Sequence, residues 1–396
     1  MKLKLRQYQS RMLQAVSRVF AAGHRRLLVQ MPTGAGKTLV AAELVRRAGA
    51  RRVLYVVPSA DIFAQTSEKL ANVGCDHELL QAGGHPDLRR VRYLLAMSQT
   101  LAKRLDTDLF DRWRPDLIIV DEAHKLLDQH AALVTHWGCP VIALTATPVR
   151  LDGRDLHDLF PIYLLGPQVS ALQAQRHLVA AQTYELWMPD LSTVGIGRGG
   201  DYRPSELDRH YRAARILHEV TAGWAKYARG RRTLAFTAGV EASKALTRAY
   251  LQAGVRAYHV DGSASQNERD DALRALRRNK IDVLCNCNLY TEGLDVVEID
   301  AVQMVTSTRS LARYLQMAGR GLRLSPKTRK RDLIVLDHGG LAERFGLIDA
   351  DRDWDNWGVT ASSRLRSCKK CDALYPAWQR RCHECKSRTR RRRLQP

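Results

Sequence analysis

Short apolar runs recur through the first part of the chain. LLVQM (27–31), VLYVV (53–57), LIIV (117–120) and VIAL (141–144) each lead into a loop or a stretch of helical spacing. Strands buried on both faces read as such continuous runs, and crossover helices must join them if they are parallel. Over 150–205 the rhythm breaks, ending in the Gly/Pro-rich STVGIGRGGDYRP. It resumes with TLAFT (233–237), VRAYHV (255–260), IDVLC (281–285), AVQMV (301–305) and LIVL (333–336). The pattern predicts two parallel-sheet α/β lobes, at 1–165 and 206–345, with a linker at 166–205. A connector at 346–360, around DADRDWDNW, leads to a small Cys- and Arg-rich module at 361–396.

Composition narrows the class. At 396 residues and 45% apolar content, two or three domains are expected. No apolar run approaches the roughly 18 residues of a membrane span. The opening MKLKLRQYQS lacks the apolar core of a signal peptide, so the expectation is a cytoplasmic protein with no membrane association, taken as a monomer. The formal net charge is +22, which suits a polyanionic partner; the plainer alternative is an inert basic surface. Residues 361–396 hold 12 Lys/Arg against 2 Asp/Glu, so +10 of the +22 falls there. Cys75, Cys139, Cys285 and Cys287 read as reduced core thiols.

MPTGAGKT (31–38) sits between an apolar run and the helical LVAAELVRRA. Strand, glycine loop and helix are the context of a phosphate loop, so Thr33, Gly34, Ala35, Gly36, Lys37 and Thr38 are expected to cradle nucleotide phosphates. Lys37 suits the β/γ-phosphates and Thr38 suits Mg²⁺. Met31 stands where the general pattern has its first Gly. In IIVDEAH (118–124) two carboxylates close a buried strand. Asp121 suits Mg²⁺ and Glu122 suits the base that aligns attacking water; a helix cap is the plainer use of such acids.

CKKCDALYPAWQRRCHEC holds two Cys-x-x-Cys pairs, Cys368/Cys371 and Cys382/Cys385. Four thiolates so spaced suit structural Zn²⁺, with two disulfides as the alternative. His383 reads as a bystander. Tyr375 and Trp378, among Lys369, Lys370, Arg380, Arg381, Arg388 and Arg390–Arg393, suit either base stacking or packing under the knuckles. The only Glu-x-Lys, at 384–386, lies inside this cluster, so no cutting centre is apparent.

Taken in order, these motifs resemble a superfamily 2 DEAD/DEAH-box helicase-type ATPase. LRQYQ (5–9) resembles the adenine-reading segment, which implies Gln9 as the base reader. VVPSADIFAQ (56–65), SQTL (98–101), LAFTAGVEAS (234–243) and HVDGSAS (259–265) resemble strand-contacting segments. TAT (145–147) resembles the element coupling hydrolysis to strand binding. TEGLDV (291–296) resembles the segment joining both sites, with Gly293 and Asp295 near the nucleotide. Pro58, Ser59, Ser98, Thr100, Thr237, Gly262 and Thr291 are the implied nucleic-acid contacts; small hydroxyl residues are also ordinary loop formers.

QMAGRGLR (316–323) resembles the last ATPase motif, implying that Gln316, Arg320 and Arg323 face ATP held by the first lobe. A helix running through it would put all three on one face. A basic solvated face is the alternative. VSALQAQRHLVAA (169–181), SLARYLQMAGRGLR (310–323), VLDHGG (335–340) and the terminal cysteines resemble, more closely, the RadD-like bacterial and phage group. The resemblance implies two RecA-like lobes with a cleft between them, a small C-terminal zinc ribbon, and ATP, Mg²⁺ and Zn²⁺ as cofactors. It implies an ATP-dependent helicase or translocase, on DNA rather than RNA, in repair, recombination or replication. Single-strand-binding or recombination proteins are candidate partners. The alternative is a non-unwinding ATPase switch or adaptor that recruits a partner such as a nuclease.

Overall fold

The computed structural model describes residues 5–49, 51–89, 91–111, 113–125, 128–149, 156–186, 190–197, 199–291, 296–354, 358–359, 365–368, 370–376, 381–382 and 384–387. The chain folds as two compact units, Met1–Gln168 and Val169–Pro396.

The first unit is built on seven parallel strands. They are β1 (Arg26–Gln30), β2 (Val53–Val57), β3 (His77–Leu80), β4 (Tyr93–Met97), β5 (Leu117–Val120), β6 (Val141–Thr145) and β7 (Ile162–Leu165). Their order is β3-β4-β2-β5-β6-β1-β7. The apolar runs take the middle of the sheet because helices cover both faces there; β2 and β6 are buried at every position. The strands β3, β4 and β7 were not foreseen. HELL and IYLL are only partly covered, so they keep polar or half-exposed residues and break the apolar rhythm.

The second unit carries β8 (Ala180–Glu185), β9 (Thr233–Thr237), β10 (Ala257–Val260), β11 (Val283–Asn286), β12 (Ala301–Val305) and β13 (Asp332–Asp337). All pair parallel, in the order β10-β11-β9-β12-β13-β8. Here the sequence expectation needs correcting. The stretch 166–205, read as a linker, supplies β8, registered against β13 along its whole length, Ala180 opposite Asp332 and Glu185 opposite Asp337. AAQTYE is an edge strand buried only at Thr183 and Tyr184, so no continuous apolar run announces it. The expected strands at 255–260 and 281–285 start later, at Ala257 and Val283, because the exposed Arg256 guanidinium pairs with Asp282 ahead of both.

Two short antiparallel ribbons follow, β14 (Arg352–Asp353) with β15 (Gly358–Val359) and β16 (Leu365–Ser367) with β17 (Leu374–Pro376). The cysteine module is no appendage. Ala373 bridges to Tyr184 on the edge strand β8, and Cys368, Ala373, Tyr375 and Cys382 share one buried cluster with Tyr184 and Trp224. Asp372 accepts hydrogen bonds from Lys226 (2.9 Å) and Tyr227 (2.6 Å), and Tyr227 stacks on Tyr184 at 4.2 Å.

Candidate nucleotide site and cysteine cluster

In the first unit the candidate residues gather where strands end. The loop after β1 holds Gly34 and Gly36 at φ 85° and 83°, in the left-handed region that glycine tolerates best. Gly36 is also the residue before the helix Lys37–Ala48. A Cβ on it would lie 2.6 Å from Gln9 Nε2, so close approach and backbone both require glycine. Met31, the departure from the general pattern, is fully buried, and its N–H donates to the Thr145 carbonyl (3.0 Å). The loop is thereby tied to β6 through its backbone, with no need of a glycine there.

Gln9 grips this loop from outside. Its Nε2 donates to the Ala35 carbonyl (3.0 Å), Tyr8 OH donates to the same oxygen (2.8 Å), and its Oε1 accepts from Arg6 N–H (2.9 Å). A carboxamide has two N–H hydrogens and two lone pairs, so one of each remains for a base edge. Thr33, Lys37 and Thr38 lie half-buried on the loop and first helical turn.

The acid pair follows β5. Asp121 is buried; its carboxylate accepts from Glu122 N–H (2.9 Å) and from Tyr55 OH on the neighbouring β2 (3.1 Å). Burial pushes its pKa up, and the Glu122 charge adds to that, while Lys37 and the two hydrogen bonds oppose it. Glu122 has φ 48°, a strained value for a residue with a side chain, and this turns its carboxylate back on the phosphate loop. Lys37 Nζ stands 3.6 Å from Glu122 Oε1.

From Glu122 the contacts continue inward. His124 Nδ1 lies 3.4 Å from Glu122 Oε2 and 3.1 Å from Thr145 Oγ1. Thr145 gives its single hydroxyl hydrogen to the Thr147 carbonyl (2.8 Å), so His124 Nδ1 is the donor to Thr145. Gln30 Nε2 fixes the carbonyl between them, that of Ala146 (2.9 Å). A polar chain therefore runs Lys37–Glu122–His124–Thr145–Thr147, linking phosphate loop, acid pair and TAT. Tyr55, Gln30 and the role of His124 were not found from sequence. Tyr55 was hidden in an apolar run, where a phenol reads as one more core residue.

The other rim residues divide. Pro58 and Ser59 follow β2 half-buried; Ser59 precedes the helix Ala60–Asn72 without a side-chain cap bond. Ser98 opens the helix Ser98–Arg104 after β4, buried, with Thr100 half-buried. Both sets follow carboxyl ends of strands, as do the phosphate loop, the acid pair and TAT, so they share one rim of the sheet.

In the second unit Gly262 is exposed and its surroundings are open. Thr291 is half-buried. Thr237 is a different case: its hydroxyl is buried and points at the carbonyls of Gly239 and Asn286, both at 3.0 Å. It joins β9 to β11 and has no hydrogen left for a strand. Gly293 and Asp295 lie outside the described residues.

The arginine motif also departs from expectation. The helix Leu311–Gly319 carries Gln316, buried, but stops before both arginines. Arg320 is its C-cap, buried at 8% exposure, with Nε donating to the Gln316 carbonyl (3.3 Å). Arg323 lies beyond the helix in an isolated antiparallel bridge to Leu178, and Val179 N–H donates to Leu322 O (2.9 Å). Shared helix face is therefore not what relates Arg320 to Arg323. Gly321 lies between them against Leu333; a Cβ there would come within 2.2 Å of Leu333 Cδ1. The turn, made close by Gly321 and held by 178–179, sets the second arginine.

The four thiols Cys368, Cys371, Cys382 and Cys385 place all their Sγ atoms within 4.8 Å of one another. Cys368–Cys385 and Cys371–Cys382 are 3.6 and 3.7 Å apart. Tetrahedral zinc with bonds of about 2.3 Å needs sulfurs about 3.8 Å apart, and a disulfide needs about 2.05 Å. The two knuckles repeat one geometry. Asp372 and Lys386, each just after the second Cys of its pair, have φ 60° and 57°. Cys368 and Cys382 each donate their N–H five residues ahead, to Ala373 and Ser387 (3.0 Å each). Tyr375 is 1% exposed, so packing, not base stacking, is its use. Trp378, Arg380, His383, Arg388 and Arg390–Arg393 lie outside the described residues.

Two family descriptions match this chain: "Type III restriction enzyme, res subunit" over residues 2–150, and "Helicase conserved C-terminal domain" over residues 212–325. Together they cover β1–β6 and β9–β12, in the expected order. The chain is a superfamily 2 helicase-type ATPase. This family implies ATP as fuel and Mg²⁺ as its metal cofactor. A "51.5 kDa protein" of a Lactococcus phage is 28% identical, over 90% of this chain and 77% of that protein. Irc3 of Schizosaccharomyces pombe, which bears the name of a mitochondrial ATP-dependent helicase, is 27% identical over 87% of this chain and 59% of its own length. Among solved structures, a fragment assigned as the HsdR subunit of a type I restriction enzyme from Vibrio vulnificus YJ016 has a TM-score of 0.67. It is 20% identical and covers 88% of this chain and 66% of that one, a likeness of fold. This helicase-type chain thus spans only part of each of these relatives. No helix among the described residues is long and apolar enough to cross a membrane.

Proposed function

We propose that this ATPase is a DNA helicase or translocase serving repair, recombination or replication. The observation that carries the reading is the polar chain from Lys37 through Glu122 and His124 to Thr145 and Thr147. A change at the γ-phosphate alters the Lys37–Glu122 pair and reaches TAT without crossing any apolar layer. DNA over RNA is supported by the restriction-enzyme descriptions of the matching family and the structural neighbour, since such enzymes act on DNA. The +22 charge supports a polyanion of either kind.

Lys37 and the backbone N–H groups of 33–38 hold the phosphates, with Gln9 at the base. Thr38 and Asp121 would hold Mg²⁺, whose contribution is to neutralise charge on the β- and γ-oxygens. Glu122 orients the attacking water and receives its proton. Arg320 and Arg323 stabilise charge on the departing phosphoryl group, and Gln316 helps place the water; arginines so used contribute about 10³–10⁵ in rate. Gly293 and Asp295 complete the nucleotide contacts. Pro58, Ser59, Ser98, Thr100, Gly262 and Thr291 touch the strand backbone, which conveys little sequence information. The four thiolates hold Zn²⁺ structurally: the donor set and spacing fit, and no ligand position is left open.

The test is steady-state hydrolysis with single-stranded DNA, duplex, forked DNA and RNA, followed by displacement of a labelled strand. Stimulation by DNA with ATP-dependent displacement is expected. Stimulation by RNA alone overturns the DNA assignment, and hydrolysis without displacement or translocation turns the reading to a switch.

A further inference from the structure

Lys330 has no part in any motif. It follows the turn Pro326–Thr328 and precedes β13, with its ammonium turned inward onto backbone. Nζ donates to the carbonyls of Val297 (3.4 Å), Ile299 and Gly321. An ammonium has three hydrogens and accepts nothing, so these carbonyls use its whole capacity. A charged donor makes each bond stronger than a neutral one would.

The partners give the arrangement its meaning. Val297 and Ile299 follow directly on TEGLDV, and Gly321 sits between Arg320 and Leu322. One side chain thus ties the stretch just after TEGLDV to the turn that separates the two arginines. Burial pushes the Lys330 pKa down to about 7; the nearby carboxylates of Asp300, Asp332 and Glu298 oppose this, and the Arg323 guanidinium adds to it. A leucine or methionine would fill this space without desolvating a charge. The lysine is explained by the three carbonyls that its amine holds.

We propose that Lys330 is a positioning residue for ATP hydrolysis, fixing the turn at Gly321 and with it the directions of Arg320 and Arg323. The proposal rests on the reading of those arginines as the groups that neutralise charge on the phosphoryl being transferred.

The experiment uses the full chain with Lys330→Met, Lys330→Arg, Arg320→Ala and the double variant Arg320→Ala/Lys330→Met. Turnover at saturating single-stranded DNA, KM for ATP, affinity for a fluorescent ATP analogue, and Tm are measured for each. Lys330→Met is expected to lower kcat about tenfold or more while analogue affinity stays within about twofold. Lys330→Arg, which keeps charge and donors, should recover most of the rate. On the Arg320→Ala background the same change should cost several-fold less than in the parent, because only Arg323 is then left for it to position. Should Lys330→Met fail to fold, Lys330→Gln takes its place and must show the same fall in kcat at constant affinity. Normal kcat in the folded variant, or a loss that multiplies fully onto that of Arg320→Ala, overturns the proposal. Normal turnover in Arg320→Ala instead overturns the reading beneath it.

Discussion

The phosphate loop of the first lobe and the arginine turn of the second are held by opposite means. Around Lys37 the ties run side chain to side chain, from Glu122 through His124 to Thr145, with Tyr55 on the buried acid. Around Arg320 and Arg323 they run to backbone: Gly321 packed on Leu333, Val179 on Leu322, Lys330 on three carbonyls. A polar side-chain chain can change partners when a ligand arrives. A backbone staple resists any change. The difference suits a first lobe that must respond to the fuel and a second that must present rigid charge.

The largest effect expected from breaking this division is at Arg320. Arg320→Ala should lower steady-state hydrolysis about 10³–10⁵-fold, with fluorescent-nucleotide affinity kept. Glu122→Gln removes the acceptor for the water's proton and should cost about 10²–10⁴-fold, again with nucleotide bound. If either variant turns over near the parent rate, its lobe has been assigned the wrong part.

Chelation ranks next, and it acts on the second lobe alone. The knuckles share the Tyr184–Trp224 core and Asp372 is held by Lys226 and Tyr227. Stripping the four thiolates of zinc with a strong chelator should therefore lower the melting temperature of that lobe by roughly 5–10 °C. Deleting 361–396 should likewise destabilise the lobe as well as weaken nucleic-acid binding. A melting curve indifferent to chelation would count against zinc on the four thiols.

A smaller effect separates the lobes by pH. Asp121 has its pKa raised, so it holds a proton at a higher pH than an ordinary carboxylic acid. Metal and proton compete for it: at low Mg²⁺, hydrolysis should fall off as pH drops below neutrality, and added Mg²⁺ should move the fall to lower pH. The sign for stability is opposite to that for activity. A raised acid favours the folded state at low pH, and that contribution is lost as pH rises through the folded-state pKa. An acid limb unmoved by Mg²⁺ would detach Asp121 from the metal.

The smallest effect belongs to Thr237. Thr237→Val should cost about 1–2 kcal/mol of stability by unfolding, since the buried hydroxyl's one hydrogen is lost to the Asn286 and Gly239 carbonyls it faces. The salt dependence of nucleic-acid affinity should stay as it was. A lower affinity at unchanged stability would restore Thr237 to the strand face.

The geometry of residues 31–38 and 118–124 was legible because each is a local order of residues: a glycine loop between strand and helix, acids at a strand end. The central strands were legible because burial on both faces demands unbroken apolar runs. β8 was not, since an edge strand needs only half its side chains apolar, and the stretch around it passed for a linker. The face shared by Arg320 and Arg323 was inferred from helical spacing, which holds only while the helix lasts, and it ends at Gly319.

The order of residues alone determined the lobes, the phosphate loop, the acid pair and the four-thiol set, because each is a short pattern whose chemistry depends on neighbours in the chain. Tertiary structure decided what holds them: Tyr55 on Asp121, His124 on Thr145, Lys330 on Gly321, and the knuckles on β8. Those contacts join residues nine or more positions apart, and side-chain hydrogen bonding leaves no periodic mark in a sequence.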